Sequence, residues 1–339
     1  MIRCQSPLRL SLAGGGTDVE PFSSQYGSSV INFAINSSVE GTLNILDSKN
    51  KLTSIQLSVI SANKTKSEDK TTSRSKFEIS LEQNLNKIFG DRIKRSLVIE
   101  LHSPVGPGSG LGASSSMVAT AIHLIRAHLL EPTNPYSLAE DALDLERNKM
   151  NLSGGFQDQF ITTFGGILFL YKETAKIEVE KIHLDNIFLK TFEESLLLIN
   201  LGVSRSGETI IDKQIENVKN QKSSTIQALN EQLTIAKRMR LAMIEENLLE
   251  VAHLMQKAWQ SKKQFALEIS NEKINNLVED LLDLGALGVK VSGAGGGGHL
   301  LCMSPRDFNV RKEIQSYLQT CRLDYSLIRI NERGSFVWM

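Results

Sequence analysis

The stretch from Leu97 to Leu130 constrains this chain more than any other. A β-prone run, Leu97-Val98-Ile99-Glu100-Leu101, leads into a glycine-rich loop from Pro104 to Gly112. The loop opens directly into an apolar segment, Ala113–Leu130, with Met117, Ala121, Leu124 and Ile125 at helical spacing. Pro132 and Pro135 end it. A strand, a flexible loop and a helix N-terminus bring unpaired backbone N–H groups and a favourable dipole to one point, the usual way to cradle an anion. Hydroxyls on the first turn, at Ser114, Ser115 and Ser116, can bind phosphate oxygens or a phosphate-bound Mg²⁺. The segment therefore suits a nucleoside triphosphate.

Other readings of the loop compete. A glycine-rich loop can be a tight connection and nothing more. No G-x-x-x-x-G-K-[ST] occurs, so a Walker loop is excluded. Gly108-Ser109-Gly110-Leu111-Gly112-Ala113 matches the looser G-x-G-x-x-A dinucleotide pattern. Its helix is followed, however, by Glu131-Pro132-Thr133-Asn134-Pro135 and a second helix, where a dinucleotide fold needs a strand ending in an acidic residue.

Upstream, Leu8, Leu10 and Leu12 alternate with Arg9, Ser11 and Ala13, which predicts a strand half buried by its leucines, broken by Gly14-Gly15-Gly16-Thr17-Asp18. Segments 30–46 and 52–60 have further strand character, and 61–76 reads as a solvated loop. A second helix starts at Ser137, with Glu140 completing an S-x-x-E capping box, and ends at Gly154-Gly155. A strand follows over 165–171. Beyond about residue 190 come a strand over 195–201, helical patterns over 207–221, 224–245, 246–260 and 271–284, and a glycine hairpin between 289–291 and 299–303. This predicts two domains, 1–190 and 191–339.

On the second helix Leu138, Ala142 and Leu145 form an apolar stripe, and Glu146 falls on that side while Asp144 and Arg147 point away. A buried carboxylate needs a partner. An arginine in a buried ion pair is one candidate, and a metal ion beside the phosphate loop is the other. Asp158 follows a glycine break in Ser153-Gly154-Gly155-Phe156-Gln157-Asp158-Gln159, where a loop aspartate is ordinarily a turn former or cap. Together with Arg9, these residues supply the parts of a phosphoryl-transfer site: phosphate cradle, metal carboxylate, acidic group for the acceptor hydroxyl, and cation.

Composition excludes other classes. The 339 residues carry 38 basic and 38 acidic side chains, with no basic stripe to hold a nucleic-acid backbone. Hydrophobic content of 41% against 22% charged residues fits a folded globular chain. Cys4, Cys302 and Cys321 have no metal-ligand or CxxC spacing, and read as buried or incidental thiols of a reducing compartment. Neither a signal-peptide stretch nor a membrane span is visible, so a cytoplasmic protein without a membrane partner is expected. His102, His123, His128 and His299 also lack metal-ligand spacing, and read as structural.

Three blocks in order resemble the GHMP kinases, the superfamily of galactose, homoserine, mevalonate and phosphomevalonate kinases. Pro104–Ser116 is similar to its P-x-G-x-G-L-G-S-S-A motif, with Ala113 where serine is usual. Lys290-Val291-Ser292-Gly293-Ala294-Gly295-Gly296-Gly297-Gly298 resembles its C-terminal K-x-[ST]-G-A-G-G-G-G block. Pro7–Asp18 resembles the opening of its sugar kinases.

The resemblance implies an α+β fold of two domains, the first like domain 2 of ribosomal protein S5 and the second ferredoxin-like, with the active site between them. It implies ATP held by Pro107, Gly108, Ser109, Gly110, Leu111, Gly112, Ala113, Ser114 and Ser115, and Mg²⁺ held by Ser114 and Glu146. Asp158 would stand near the acceptor hydroxyl. Arg9 takes the place of a catalytic cation that is often lysine; arginine carries protons poorly and holds anions well, so positioning and charge neutralisation are its implied work.

Gly15, Gly16, Thr17, Asp18, Gly155, Gln157, Gly295 and Gly296 would line the substrate side with Arg9 and Asp158. The resemblance is greatest to the anomeric sugar kinases, those of D-glycero-D-manno-heptose 7-phosphate and of L-fucose. It implies transfer of the ATP γ-phosphoryl group to the C1 hydroxyl of the heptose 7-phosphate, on the way to GDP-heptose. A distal substrate phosphate would need a cation, for which Arg205 in Ser204-Arg205-Ser206-Gly207 stands ready, although a capped helix with a solvated arginine explains it equally. A monomer or homodimer is expected. Another anomeric kinase, or a silent sugar sensor on the same fold, remains the alternative.

Overall fold

The alternating leucines of the first strand set the layering of the molecule. The computed structural model describes residues 1–46, 53–61, 74–173, 175–202 and 207–339. β1 (Ile2–Ala13) is followed by α1 (Phe22–Tyr26), the long β2 (Ser28–Leu46), β3 (Ile55–Ser61), α2 (Lys76–Phe89) and β4 (Ser96–Ser103). Then come α3 (Ala113–His128), α4 (Pro135–Asp144), α5 (Gln157–Phe164), β5 (Ile167–Lys172), β6 (Glu178–Ile182) and α6 (Asn186–Ser195). The second half holds β7 (Leu196–Gly202), α7 (Gly207–Lys219), α8 (Ser223–Ile244), α9 (Leu248–Lys262) and α10 (Glu272–Asp283). It continues through β8 (Gly288–Val291), β9 (Gly298–Met303), α11 (Phe308–Thr320), β10 (Tyr325–Leu327) and β11 (Phe336–Trp338).

The strands make two sheets. One runs β11-β1-β2-β4-β3, with β5 paired to the first half of β2 and β6 to β5. Only its β3–β4 pair is parallel, joined through α2 as a parallel pair requires a crossover. The other sheet is β10-β7-β9-β8, antiparallel throughout. The last strand, β11, returns to pair with β1.

β1 is buried on both faces, not on one as its alternation predicts. Leu8, Leu10 and Leu12 are fully buried in a core with Phe33, Ile235 and Met239, each worth on the order of 2 kcal/mol over exposure. Arg9 and Ser11 face the other way, yet each is only 6% exposed. The cause is tertiary: α3 and α5 contact β1 as well as α8 and α9. A register shift between Pro7 and Arg9 marks a bulge where proline interrupts the strand. Arg9 is the next paired residue of β1 after it.

Two boundaries differ from expectation. The second helix, α4, begins at Pro135, because Asn134 caps it by accepting from the Ser137 N–H at 2.9 Å. Proline at the first position and asparagine before it outcompete the Ser137–Glu140 box. Nor does that helix reach Gly154: beyond Asp144 it widens into a π-turn over Leu145–Lys149 and stops. Such turns recur at functional sites.

Candidate active site

The glycine loop ends at Gly112, whose φ of 75° is left-handed and which occupies the N-cap of α3. No side chain caps that end of α3. Its first N–H groups are therefore open to a ligand, as an anion site requires. Ser116 is withdrawn from this role, since its hydroxyl donates to the Pro7 carbonyl at 2.8 Å. Ser114 and Ser115 instead donate to the two oxygens of Glu146, at 2.8 and 2.6 Å.

Glu146 is 1% exposed, as its position on the apolar stripe predicts. Among the described residues it forms no ion pair; the partners are Ser114, Ser115 and the Gln159 amide, so the arginine alternative is not what the structure shows. Arg147 is not turned to solvent either. Its guanidinium donates to the carbonyls of Leu152 and Gly155 and folds the following loop back on the π-turn.

The arginine pair belongs to Asp158 instead. Asp158 lies in the first turn of α5, and Arg9 grips it with Nε on Oδ1 at 2.7 Å and Nη2 on Oδ2 at 2.8 Å. The remaining Arg9 nitrogen, Nη1, donates to the Gly110 carbonyl at 2.5 Å. One guanidinium thus ties the glycine loop to the Asp158 carboxylate. A rigid fork suits this better than an ammonium would.

Beside it lies Asp18, 2% exposed. Its carboxylate accepts from the Gly16 N–H at 3.0 Å, the Gln157 N–H at 3.1 Å and the Gln157 amide at 3.2 Å. Burial raises its pKa and the nearby Asp158 charge adds to the rise, while the backbone N–H of Gln157 works against it. Gly155 lets the turn pass: a Cβ there would sit 1.9 Å from Asp18 Oδ2. Gly15 lies close to Ser11 Oγ and the Gln157 amide, so these expected substrate-side residues are together.

The C-terminal glycine block closes on the phosphate loop. Ser292 Oγ donates to the Gly110 carbonyl at 2.8 Å, beside Arg9 Nη1. Gly110 and Gly293 touch backbone to backbone: a Cβ on Gly110 would come within 2.6 Å of Ser292 O, and one on Gly293 within 2.6 Å of Gly110 Cα. Gly295 and Gly296 do not join this seam. They pack against Glu268 and Ile269, with the Gly296 N–H on the Ile269 carbonyl at 2.8 Å. Thr17 is likewise withdrawn: fully buried, its hydroxyl donates to the Gly14 carbonyl at 2.8 Å and shapes the turn. Arg205 lies outside the described residues.

Four residues at the site carried no functional reading in the sequence. Gln159 steadies Glu146 and Ser115. His299 donates Nδ1 to the Ser109 carbonyl at 2.8 Å, and burial lowers its pKa. Lys290 reaches back to the Ser11 carbonyl at 2.6 Å, and burial with its neighbours Lys262 and Arg9 pulls its pKa well down. Lys262, at the end of α9, bonds the Gly293 carbonyl. Gln159 and Lys290 sit inside motifs that the sequence displays; Lys262 sits in an ordinary amphipathic helix, and no local pattern distinguishes it.

Comparison with known proteins decides the family. Residues 78–166 match the GHMP kinase N-terminal domain, and residues 239–321 match the GHMP kinase C-terminal domain. The chain belongs to the GHMP kinases. It is 29% identical over 326 residues to a D-glycero-alpha-D-manno-heptose 7-phosphate kinase of Campylobacter jejuni, covering 94% of this chain and 95% of that one. It is 26% identical over 333 residues to the bifunctional fucokinase/GDP-fucose pyrophosphorylase of Arabidopsis thaliana, of which it spans 31%.

A crystal structure of a D-glycero-D-manno-heptose 1-phosphate kinase from Bacteroides thetaiotaomicron superposes with a TM-score of 0.77 at 26% identity, covering 100% of this chain and 99% of that one. A galactokinase of Lactococcus lactis shares the fold at 17% identity, with a TM-score of 0.73 and coverage of 99% and 95%. This GHMP kinase is thus an ATP-dependent phosphotransferase with an alcohol acceptor, of α+β fold. Among its described residues no helix is long and apolar enough to cross a membrane.

Proposed function

We propose that this GHMP kinase transfers the γ-phosphoryl group of ATP to the C1 hydroxyl of D-glycero-D-manno-heptose 7-phosphate, giving the 1,7-bisphosphate that feeds GDP-heptose synthesis. The observation that carries the reading is the Arg9 guanidinium joining Gly110 of the phosphate loop to Asp158. With Asp158 read as the acceptor-side carboxylate, this fork would set it beside the γ-phosphate of a bound ATP. The heptose kinase of Campylobacter jejuni, alike along nearly its whole length, supports that choice of sugar.

In this mechanism the open N–H groups of α3 and the loop backbone hold the phosphates. Asp158 accepts the hydrogen bond of the attacking hydroxyl and aims it, while Arg9 fixes the carboxylate in place. Asp18 and Gln157 bind the sugar's ring hydroxyls, against a turn shaped by Gly15, Gly16 and Thr17. The seam between Gly110 and Gly293 keeps water from the transfer point.

The donor set at Ser114 and Glu146 is all oxygen, and the buried Glu146 carboxylate has no ion pair among the described residues, which fits a hard divalent cation that shares its shell with substrate phosphates. Those two residues would hold Mg²⁺, which supplies charge neutralisation at the β- and γ-phosphates. We divide the chain into 1–190 and 191–339; the two separate sheets support this, although the boundary falls within α6 and β11 returns to the first sheet. We place the reaction in the cytoplasm.

The test is the position of the new phosphate. Phosphorus–carbon coupling in the product of heptose 7-phosphate and Mg-ATP should place it on C1. Phosphate on any other carbon refutes the anomeric assignment.

A further inference from the structure

Lys262 ends α9 at 7% exposure, and its ammonium has one hydrogen-bond partner among the described residues, the carbonyl of Gly293. An ammonium carries three donors. It forms no ion pair within those residues, although a buried charge is costly unless it is paired. The charged groups that act on it come from three directions: Arg9 on β1, Asp158 on α5, and Asp18 in the turn after β1. Lys290 on β8 completes the cluster.

This cluster is three basic side chains against two carboxylates, and the carboxylates are already engaged. Asp158 takes both arms of the Arg9 fork, and Asp18 takes the N–H groups of Gly16 and Gln157. Arg9 itself has a nitrogen on Gly110 and two on Asp158, so it has little freedom to follow a moving charge. Lys290 is held by the Ser11 carbonyl. Among the described residues neither lysine pairs with an anion, but Lys290 is anchored on β1, whereas the one anchor of Lys262 is the carbonyl of Gly293, the glycine that abuts Gly110.

We propose that Lys262 is a catalytic residue, its ammonium turning from Gly293 to the oxygens of the transferring phosphoryl group and neutralising the charge that develops there. The role is electrostatic and moves no proton along the reaction path. It rests on the reading of the chain as an ATP-dependent kinase, but not on which sugar accepts. Burial, with the Arg9 charge, lowers the Lys262 pKa to about 8, against the pull of Asp18 and Asp158. An arriving phosphate raises it again, so nucleotide binding above pH 8 must take up a proton.

Titration calorimetry with Mg-AMP-PNP at pH 8.5, in buffers of different ionisation enthalpy, reads that uptake without turnover. Wild type should take up several tenths of a proton more than Lys262→Met, and the difference should persist when both are measured in a Lys290→Met background, because the Lys262 charge also lowers the Lys290 pKa. In steady state, Lys262→Met should lose about a hundredfold or more in kcat, a larger effect than the several-fold rise in the KM for ATP that loss of the contact to bound nucleotide brings. Lys262→Arg should recover at least tenfold of that loss, and the fall of kcat/KM above pH 8 should vanish in it.

Equal proton uptake in wild type and Lys262→Met overturns the proposal, as does Lys262→Arg performing no better than Lys262→Met. If no acceptor is turned over even by wild type, the kinase reading fails, while the calorimetry still reports on Lys262.

Discussion

Arg9 and Asp158, 149 residues apart in sequence, are joined by two parallel hydrogen bonds of 2.7 and 2.8 Å. Both carboxylate oxygens accept from one planar group, so the Asp158 carboxylate is held at a fixed angle. Asp158→Asn keeps the shape, loses the charge and breaks one arm of the fork. Its turnover, followed by ADP release, should fall by about a hundredfold or more. Arg9→Lys should also fall, because an ammonium cannot bridge both oxygens and Gly110 together. Near-wild-type turnover by Asp158→Asn would remove Asp158 from the chemistry.

Glu146 is buried with hydroxyl partners and no cation among the described residues. Glu146→Gln should raise the Mg²⁺ concentration for half-maximal rate by about tenfold or more. Ser114→Ala should shift it in the same direction by less. Magnesium titrations at saturating ATP check both, and an unchanged midpoint in Glu146→Gln would refute the metal assignment.

The Gly110–Gly293 contact leaves no room for a methyl group on either side. Gly110→Ala should cost about 1–3 kcal/mol of stability, from its left-handed φ of 74° and the clash, and should raise the KM for ATP. Gly293→Ala should do likewise. Because the two share one seam, the double variant should lose less than the sum of the two. Denaturant unfolding and ATP kinetics of the three variants measure this.

His123 on α3 pairs with Ser335 at 2.8 Å, and Ser335 also receives the Ser6 hydroxyl at 2.8 Å, so this network fastens the chain end to β1. Burial, with the Arg126 charge, lowers the His123 pKa from 6.5 to about 4. Between these values the unfolded chain binds a proton that the native state does not. The contribution is complete above pH 6.5 and is lost as pH falls towards 4. Wild type should therefore lose more stability than His123→Gln between pH 7.5 and 5, by denaturant unfolding at each pH. Equal losses would exclude His123 as the cause.

Much of the site was legible because its parts are local. The glycine loop, the hydroxyls at 114 and 115, the glycine block at 293–298 and the apolar-side Glu146 each carry their chemistry in a short run of sequence. What escaped is set by contacts between distant segments. Nothing near Arg9 says that it grips Asp158, and nothing near Lys262 says that it reaches the Gly293 carbonyl. The burial of β1 on both faces depends on helices more than a hundred residues away in sequence. The start of α4 differs from expectation for the opposite reason, since two adjacent caps compete locally and Asn134 with Pro135 is the stronger combination.

The central claim is the choice of acceptor, and ADP release with Mg-ATP across a small panel tests it most directly. The panel holds D-glycero-D-manno-heptose 7-phosphate, the unphosphorylated heptose, mannose, L-fucose, galactose and mevalonate. The kcat/KM for the heptose 7-phosphate should exceed every other by at least a hundredfold. Preferred turnover of L-fucose, or of any unphosphorylated sugar, would contradict it.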